Sequence, residues 1–228
     1  MMRPEGLVFR MVSAESQPAA SGATATVLTE AQTATTPDRV LLSAISWESL
    51  ERLDEVLGDR ARLIYLDGQL EIMVPLSEEH EESKNTLGQI LEVYLRWKRI
   101  RFYGRGSTTL GLKQLGARKE PDESYCLGEH KSVPDLAIEV TVTSGGIEVL
   151  EIYKRVRVRE VWFWEDGEIS VYALSEMGSG TEDGAGYERV ERSGLLPELD
   201  LGLVSRCTRM GDQYDAVNEF LRSLGIAL

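Results

Sequence analysis

Two stretches decide how this chain folds: Glu120-Pro121-Asp122-Glu123-Ser124-Tyr125 and Pro134-Asp135-Leu136-Ala137-Ile138-Glu139-Val140-Thr141-Val142. The second is nearly continuous apolar sequence of strand length, which suits a central strand buried on both faces. Glu139, flanked by Ile138 and Val140, breaks that character. A carboxylate inside a buried strand is unfavourable unless it is paired or bound to a metal. Asp122 follows Pro121 at the start of another short strand, 17 residues earlier. If the two strands pair side by side, the carboxylates converge. Two anionic oxygen groups at a strand end suit magnesium or manganese. Such a site can activate water and stabilise charge developing on a phosphodiester. The alternative is that Glu139 pairs with an arginine or lysine, or lies on a half-exposed face. Alternation sets Ala137, Glu139 and Thr141 on one side and Leu136, Ile138, Val140 and Val142 on the other, so the first side reads as a wet, functional face.

Outward from these strands the chain alternates helix and strand signals. Ser46 caps a helix with apolar residues at 50, 53, 56 and 57. Asp67-Gly68 joins two apolar runs, the strongest short hairpin signal. Ser77 opens a helix to about residue 99, with Leu87, Ile90, Leu91 and Tyr94 on one face and His80 pointing to the same side. Short strands are expected at 101–103, 107–112 and 124–127. Ser144-Gly145-Gly146 ends the central strand, and a helix spans 147–158. A second hairpin joins 160–164 to 168–174 across Asp166-Gly167, and an amphipathic helix covers 212–224. There is no internal repeat. The fold class is α/β (α+β), with one domain over residues 39–228.

With 228 residues, the chain is long enough for a substantial core. Two cysteines and two histidines exclude a disulfide scaffold, a four-cysteine zinc site and a histidine-rich metal site. No apolar run approaches the roughly 18 residues of a membrane span. Residues 1–38 are rich in Ala, Thr, Ser, Gln and Pro and read as a disordered tail. Glu5 and the lack of an apolar block oppose a targeting peptide, so the expected location is cytoplasmic. The net charge of −13 opposes a wholly basic nucleic-acid binder. Yet Arg96, Lys98, Arg99, Arg101, Arg105, Lys113, Arg118 and Lys119 follow one another with no acidic residue between them. Arg99, Arg101, Arg105 and Lys113 are therefore candidate nucleic-acid contacts, with Trp97, Phe102 and Tyr103 interleaved. The opposing reading is a solvated basic face balancing acidic neighbours.

From about Tyr65 to Leu201 the chain resembles the Uma-two family of restriction endonucleases, which has the PD-(D/E)-x-K nuclease fold. The matching blocks include Tyr65-Leu66-Asp67-Gly68, His80-Glu81, Tyr103-Gly104-Arg105-Gly106-Ser107-Thr108-Thr109-Leu110, Glu120-Pro121-Asp122-Glu123-Ser124-Tyr125 and Pro134 to Val140. Thr143-Ser144-Gly145-Gly146-Ile147, Leu150-Glu151-Ile152-Tyr153, Glu160-Val161-Trp162-Phe163-Trp164 and Ser193-Gly194-Leu195-Leu196-Pro197 continue them. The resemblance implies a mixed central sheet flanked by helices in α-β-β-β-α-β order. It implies divalent metal, Mg2+ or Mn2+, on Asp122 and Glu139, with the Val140 carbonyl as a third ligand and Glu81 completing the shell or orienting water. His80 would carry a proton or contact phosphate; its other reading is a hydrogen-bonded structural histidine. DNA would be the substrate and a homodimer the working form. Two departures stand out. The lysine usually found two residues after the second carboxylate is Thr141 here, and the helix position to which such a lysine moves is Val149. Lys154 is the nearby candidate replacement, rotated roughly 140° around the helix from 149. A nuclease-derived protein that binds nucleic acid or assembles without cutting is the alternative.

Overall fold

The structure, a computed structural model, describes residues 39–73, 78–140, 148–175 and 186–226. The expected tail, Ser77, Thr141 and the 143–147 block lie outside those residues. Eleven strands form two sheets among them. The first has five strands in the order β1 (Arg39–Leu42), β3 (Gln69–Met73), β2 (Arg62–Leu66), β6 (Ala117–Lys119) and β5 (Leu110–Leu112). The second has six, in the order β11 (Gly186–Val190), β10 (Glu168–Ser175), β9 (Glu160–Glu165), β8 (Leu136–Val140), β7 (Glu123–Leu127) and β4 (Phe102–Gly104).

The helices are α1 (Trp47–Leu57), α2 (Glu78–Trp97), α3 (Val149–Val156), α4 (Leu201–Thr208) and α5 (Gln213–Ser223). Through the larger sheet the chain runs α2, β4, β7, β8, α3, β9, the expected α-β-β-β-α-β order, with the β5–β6 hairpin diverted to the smaller sheet. β8 lies inside that sheet, antiparallel to β7 and parallel to β9. A parallel neighbour requires a crossover, and α3 provides it. No helix among the described residues is long and apolar enough to cross a membrane.

Local chemistry explains the well-read elements. Ser46 Oγ accepts from the Ser49 N–H at 3.2 Å and starts α1. Asp67 and Gly68 have φ of 46° and 85°, and Asp166 and Gly167 have 51° and 77°. Both pairs are turns with two left-handed residues, whose twist matches the flanking strands. The expected strand at 107–112 is shorter: only Leu110–Leu112 pairs, because Thr108 turns back to bond the Arg105 carbonyl.

Alternation along β8 sorts its two faces. Leu136, Ile138 and Val140 join the core built on Leu87, Ile90, Leu91, Tyr94 and Leu95 of α2, with Trp162 and Trp164. Ala137 faces the other way, with Tyr153 and Val156 of α3 and Leu110 of β5. The α3 helix also meets the smaller sheet, through Ile152 against Ile64 and Ala117. It is therefore wedged between both sheets. Arg155 fastens it to the β2–β3 turn with two bonds to Asp67, at 2.7 and 2.6 Å.

Candidate active site at the junction of two sheets

The β7–β8 ladder ends with Glu123 opposite Ile138; Asp122, just before it, takes the Val140 N–H, and its charge acts on Glu139. The two carboxylates that the sequence singled out therefore lie close together at this end of the ladder. Both are 4% exposed, which corrects the expectation of a wet face around Glu139. The whole of β8 is buried, because α3 and the smaller sheet cover the side that alternation left for water.

Each carboxylate is held by named donors. Asp122 accepts from the Val140 N–H at 2.7 Å, from His80 Nε2 at 3.2 Å and from the Arg62 guanidinium. Glu139 accepts from the Tyr153 hydroxyl on one oxygen and from Lys119 Nζ, at 3.0 Å, on the other. The carboxylates thus belong to the larger sheet, whereas the cations come from β2 and β6 of the smaller one. Histidine comes from the first turn of α2 and tyrosine from α3.

This asymmetry separates the two acids. Burial alone would raise the Asp122 pKa, but the His80 bond and the Lys119 and Arg62 charges outweigh it and hold the group down at about 2. Burial pushes Glu139 up to about 7; Asp122 adds to the rise, against Lys119 and the bond from Tyr153. Paired acids with opposed shifts are a recurring feature of catalytic sites.

The remaining candidates are placed as follows. Glu81 lies at the rim, pairing with Lys84 and 3.5 Å from His80 Nδ1. The Lys84 bond lowers its pKa. Val140 meets Asp122 through its N–H. Lys154 pairs with Glu151 at 3.0 Å on its own helix. The lysine brought to Glu139 is Lys119, which the sequence reading counted only within a basic run. Arg62 was missed altogether. A lysine three residues before Asp122, across a proline, was the available signal.

Much of the basic run is neutralised across the fold: Lys98 pairs with Glu198, Lys113 with Glu48 and Arg118 with Asp54. Arg105 donates to the Lys131 carbonyl. Arg99 and Arg101 are exposed. A cavity of about 410 Å3, lined by Arg62, Ser107, Thr109, Arg118 and Glu120, opens beside the site.

Of the three other buried acids, Glu71 pairs with Arg39, and the remaining two have equally structural surroundings. Asp135 clamps the start of β8, accepting from Lys131 and the Leu127 N–H. Glu160 accepts from the Trp162 indole, the Ser193 hydroxyl and the Gly194 and Leu195 N–H groups.

The Uma2 family, described as "Putative restriction endonuclease", matches residues 47–204. The chain belongs to that family. A crystal structure described as a "putative nuclease belonging to DUF820 from Anabaena variabilis" aligns at 13% identity and a TM-score of 0.43, covering 70% of this chain and 91% of that one. No curated protein matches. Restriction endonuclease-like members of such families generally use divalent metals. Among the described residues no three His, Cys, Asp or Glu converge as a ready-made cage. The donor set still fits a hard cation, because two neighbouring carboxylates supply its preferred oxygen ligands.

Proposed function

We propose that this protein is an endonuclease that hydrolyses DNA phosphodiester bonds and depends on Mg2+ or Mn2+. The observation that carries this reading is the close pair Asp122 and Glu139, buried at the junction of two sheets with opposed acidities. Asp122 and Glu139 would hold the ion, with the Val140 carbonyl as a further ligand and Glu81 at the rim. The bound ion would polarise a phosphoryl oxygen and lower the pKa of water.

The residues of the chain do the rest. His80 and the Val140 N–H fix the orientation of Asp122. Tyr153 fixes one oxygen of Glu139. The cavity beside the site is walled by Arg62 and Arg118 together with Asp54, Asp59 and Glu120, and a phosphodiester would approach the carboxylates past Arg62, which bonds Asp122. A two-fold homodimer would present two such sites to antiparallel strands.

Supercoiled plasmid incubated with Mg2+ or Mn2+ tests the reading. Nicking and linearisation should require the metal, stop with EDTA and fall by about 100-fold or more in Glu139→Ala, with circular dichroism unchanged. Equal cleavage by wild type and Glu139→Ala would reject it. The competing reading, a binding or assembly protein without turnover, is favoured by Val149. It expects salt-sensitive binding to DNA and no products.

A further inference from the structure

We propose that Lys119 is the catalytic lysine of this site, delivered from β6 in the smaller sheet rather than from the strand or helix on which the resembled family carries it. This rests on the nuclease reading above. Lys119 Nζ lies 3.0 Å from Glu139 Oε2, and its side chain is 7% exposed. Lysine is almost never buried so completely without a partner. An ammonium has three donors, and the bond to Glu139 uses one.

A purely structural role is the weaker account. Glu160, buried on the neighbouring strand, is satisfied by an indole, a hydroxyl and two backbone N–H groups. Buried ion pairs contribute little to stability compared with neutral packing. Buried Asp135 does pair with a lysine, but the Lys131 side chain is 32% exposed; what sets Lys119 apart is that the cation itself is sunk beside its carboxylate.

The helix explains why the lysine comes from elsewhere. Tyr153 on α3 reaches the other oxygen of Glu139. Val149, one turn earlier, is on the same helix face and packs against Leu110, Ala137 and Tyr153 as part of an apolar cluster. With that position apolar, the charge enters from the opposite wall. The segment Lys119-Glu120-Pro121-Asp122 crosses from one sheet to the other and places cation and first carboxylate on either side of the junction.

In hydrolysis a water oxygen forms a bond to phosphorus and the bond from phosphorus to the leaving sugar oxygen breaks. The attacking water loses one proton to solvent, and the leaving oxygen gains one from solvent. Lys119, as the ammonium, donates to a non-bridging phosphate oxygen as negative charge builds there, and its own protonation is unchanged.

The test compares wild type, Lys119→Met, Lys119→Ala and the double variant Lys119→Ala/Val149→Lys in plasmid cleavage, Mn2+ titration calorimetry and thermal unfolding. Both single variants should lose about 100-fold or more in cleavage rate while keeping Mn2+ binding. The double variant should regain at least about tenfold over Lys119→Ala, because position 149 shares a helix face with Tyr153, which bonds the same carboxylate. Single variants that cut within threefold of wild type, beside an inactive Glu139→Ala, overturn the lysine assignment and leave the nuclease reading standing. Wild type that cuts nothing overturns both. If the single variants unfold, recovery of cleavage in the double variant supports the proposal, and recovery of folding without cleavage overturns it.

Discussion

Glu139 and Glu160 are buried on adjacent parallel strands with different partners, and the partners of Glu139 make it sensitive to pH. Glu139 titrates at about 7 in the folded chain against an ordinary value of 4.5. Between those values the folded state holds a proton that the unfolded state has lost. Stability therefore falls as pH rises through this window, by about 3 kcal/mol for a shift of this size, and the whole penalty is present above pH 7. Asp122 acts elsewhere: held down at about 2 against 3.8, it stabilises above its ordinary value and that contribution is lost as pH falls through 2. Glu123, raised by burial, adds to the Glu139 slope in the same direction. In EDTA, the fall in melting temperature between pH 5 and 8 should be much flatter in Glu139→Gln than in wild type. Parallel profiles would show that Glu139 does not carry the slope. The unusual status of Glu139 was readable from its apolar flanks alone. Its partners were not, because Lys119 is twenty residues away and carries no local mark of burial.

At the scale of elements, both Asp-Gly hairpins, the Ser46 cap, the long helix α2 and the β8 strand were legible because each rests on chemistry within a few residues. β1, β6, β11 and α4 were not read. β6 is three residues long, between a left-handed Gly116 (φ 58°) and Pro121, and too short to show a period. What holds it is pairing with β2 and β5, which is long-range information. Gly111 is the sensitive point of that pairing. Its φ is 116°, and a Cβ there would fall 2.0 Å from the Ala117 carbonyl oxygen. Gly111→Ala should push β5 off β6, lower stability in urea by about 2 kcal/mol or more and reduce cleavage along with it, through displacement of Lys119. A variant with wild-type stability and cleavage would show that the hairpin tolerates the shift.

For the whole molecule, the net charge of −13 and the basic run describe one arrangement. Several cations of the run are turned inward or sideways onto carboxylates from distant elements, as Lys113 is onto Glu48 and Lys98 onto Glu198. Sequence order placed these charges together, and folding distributed them. DNA affinity should accordingly depend on few phosphate contacts. Removing exposed Arg99 and Arg101 together should lower the dependence of log affinity on log salt by about 2. Lys113→Ala should change it by less than one. Binding isotherms of a labelled duplex at several salt concentrations measure both, and equal effects from the two variants would contradict this division.

The crossing Lys119-Glu120-Pro121-Asp122 has a consequence for how such a site can change over time. A charge carried on α3 must evolve against the packing of a helix wedged between two sheets. A charge carried on this crossing lies within four residues of the first acid, so one short segment holds both. Under the lysine assignment proposed above, the first turn of α3 has no charge to supply, and Val149 there packs with apolar neighbours.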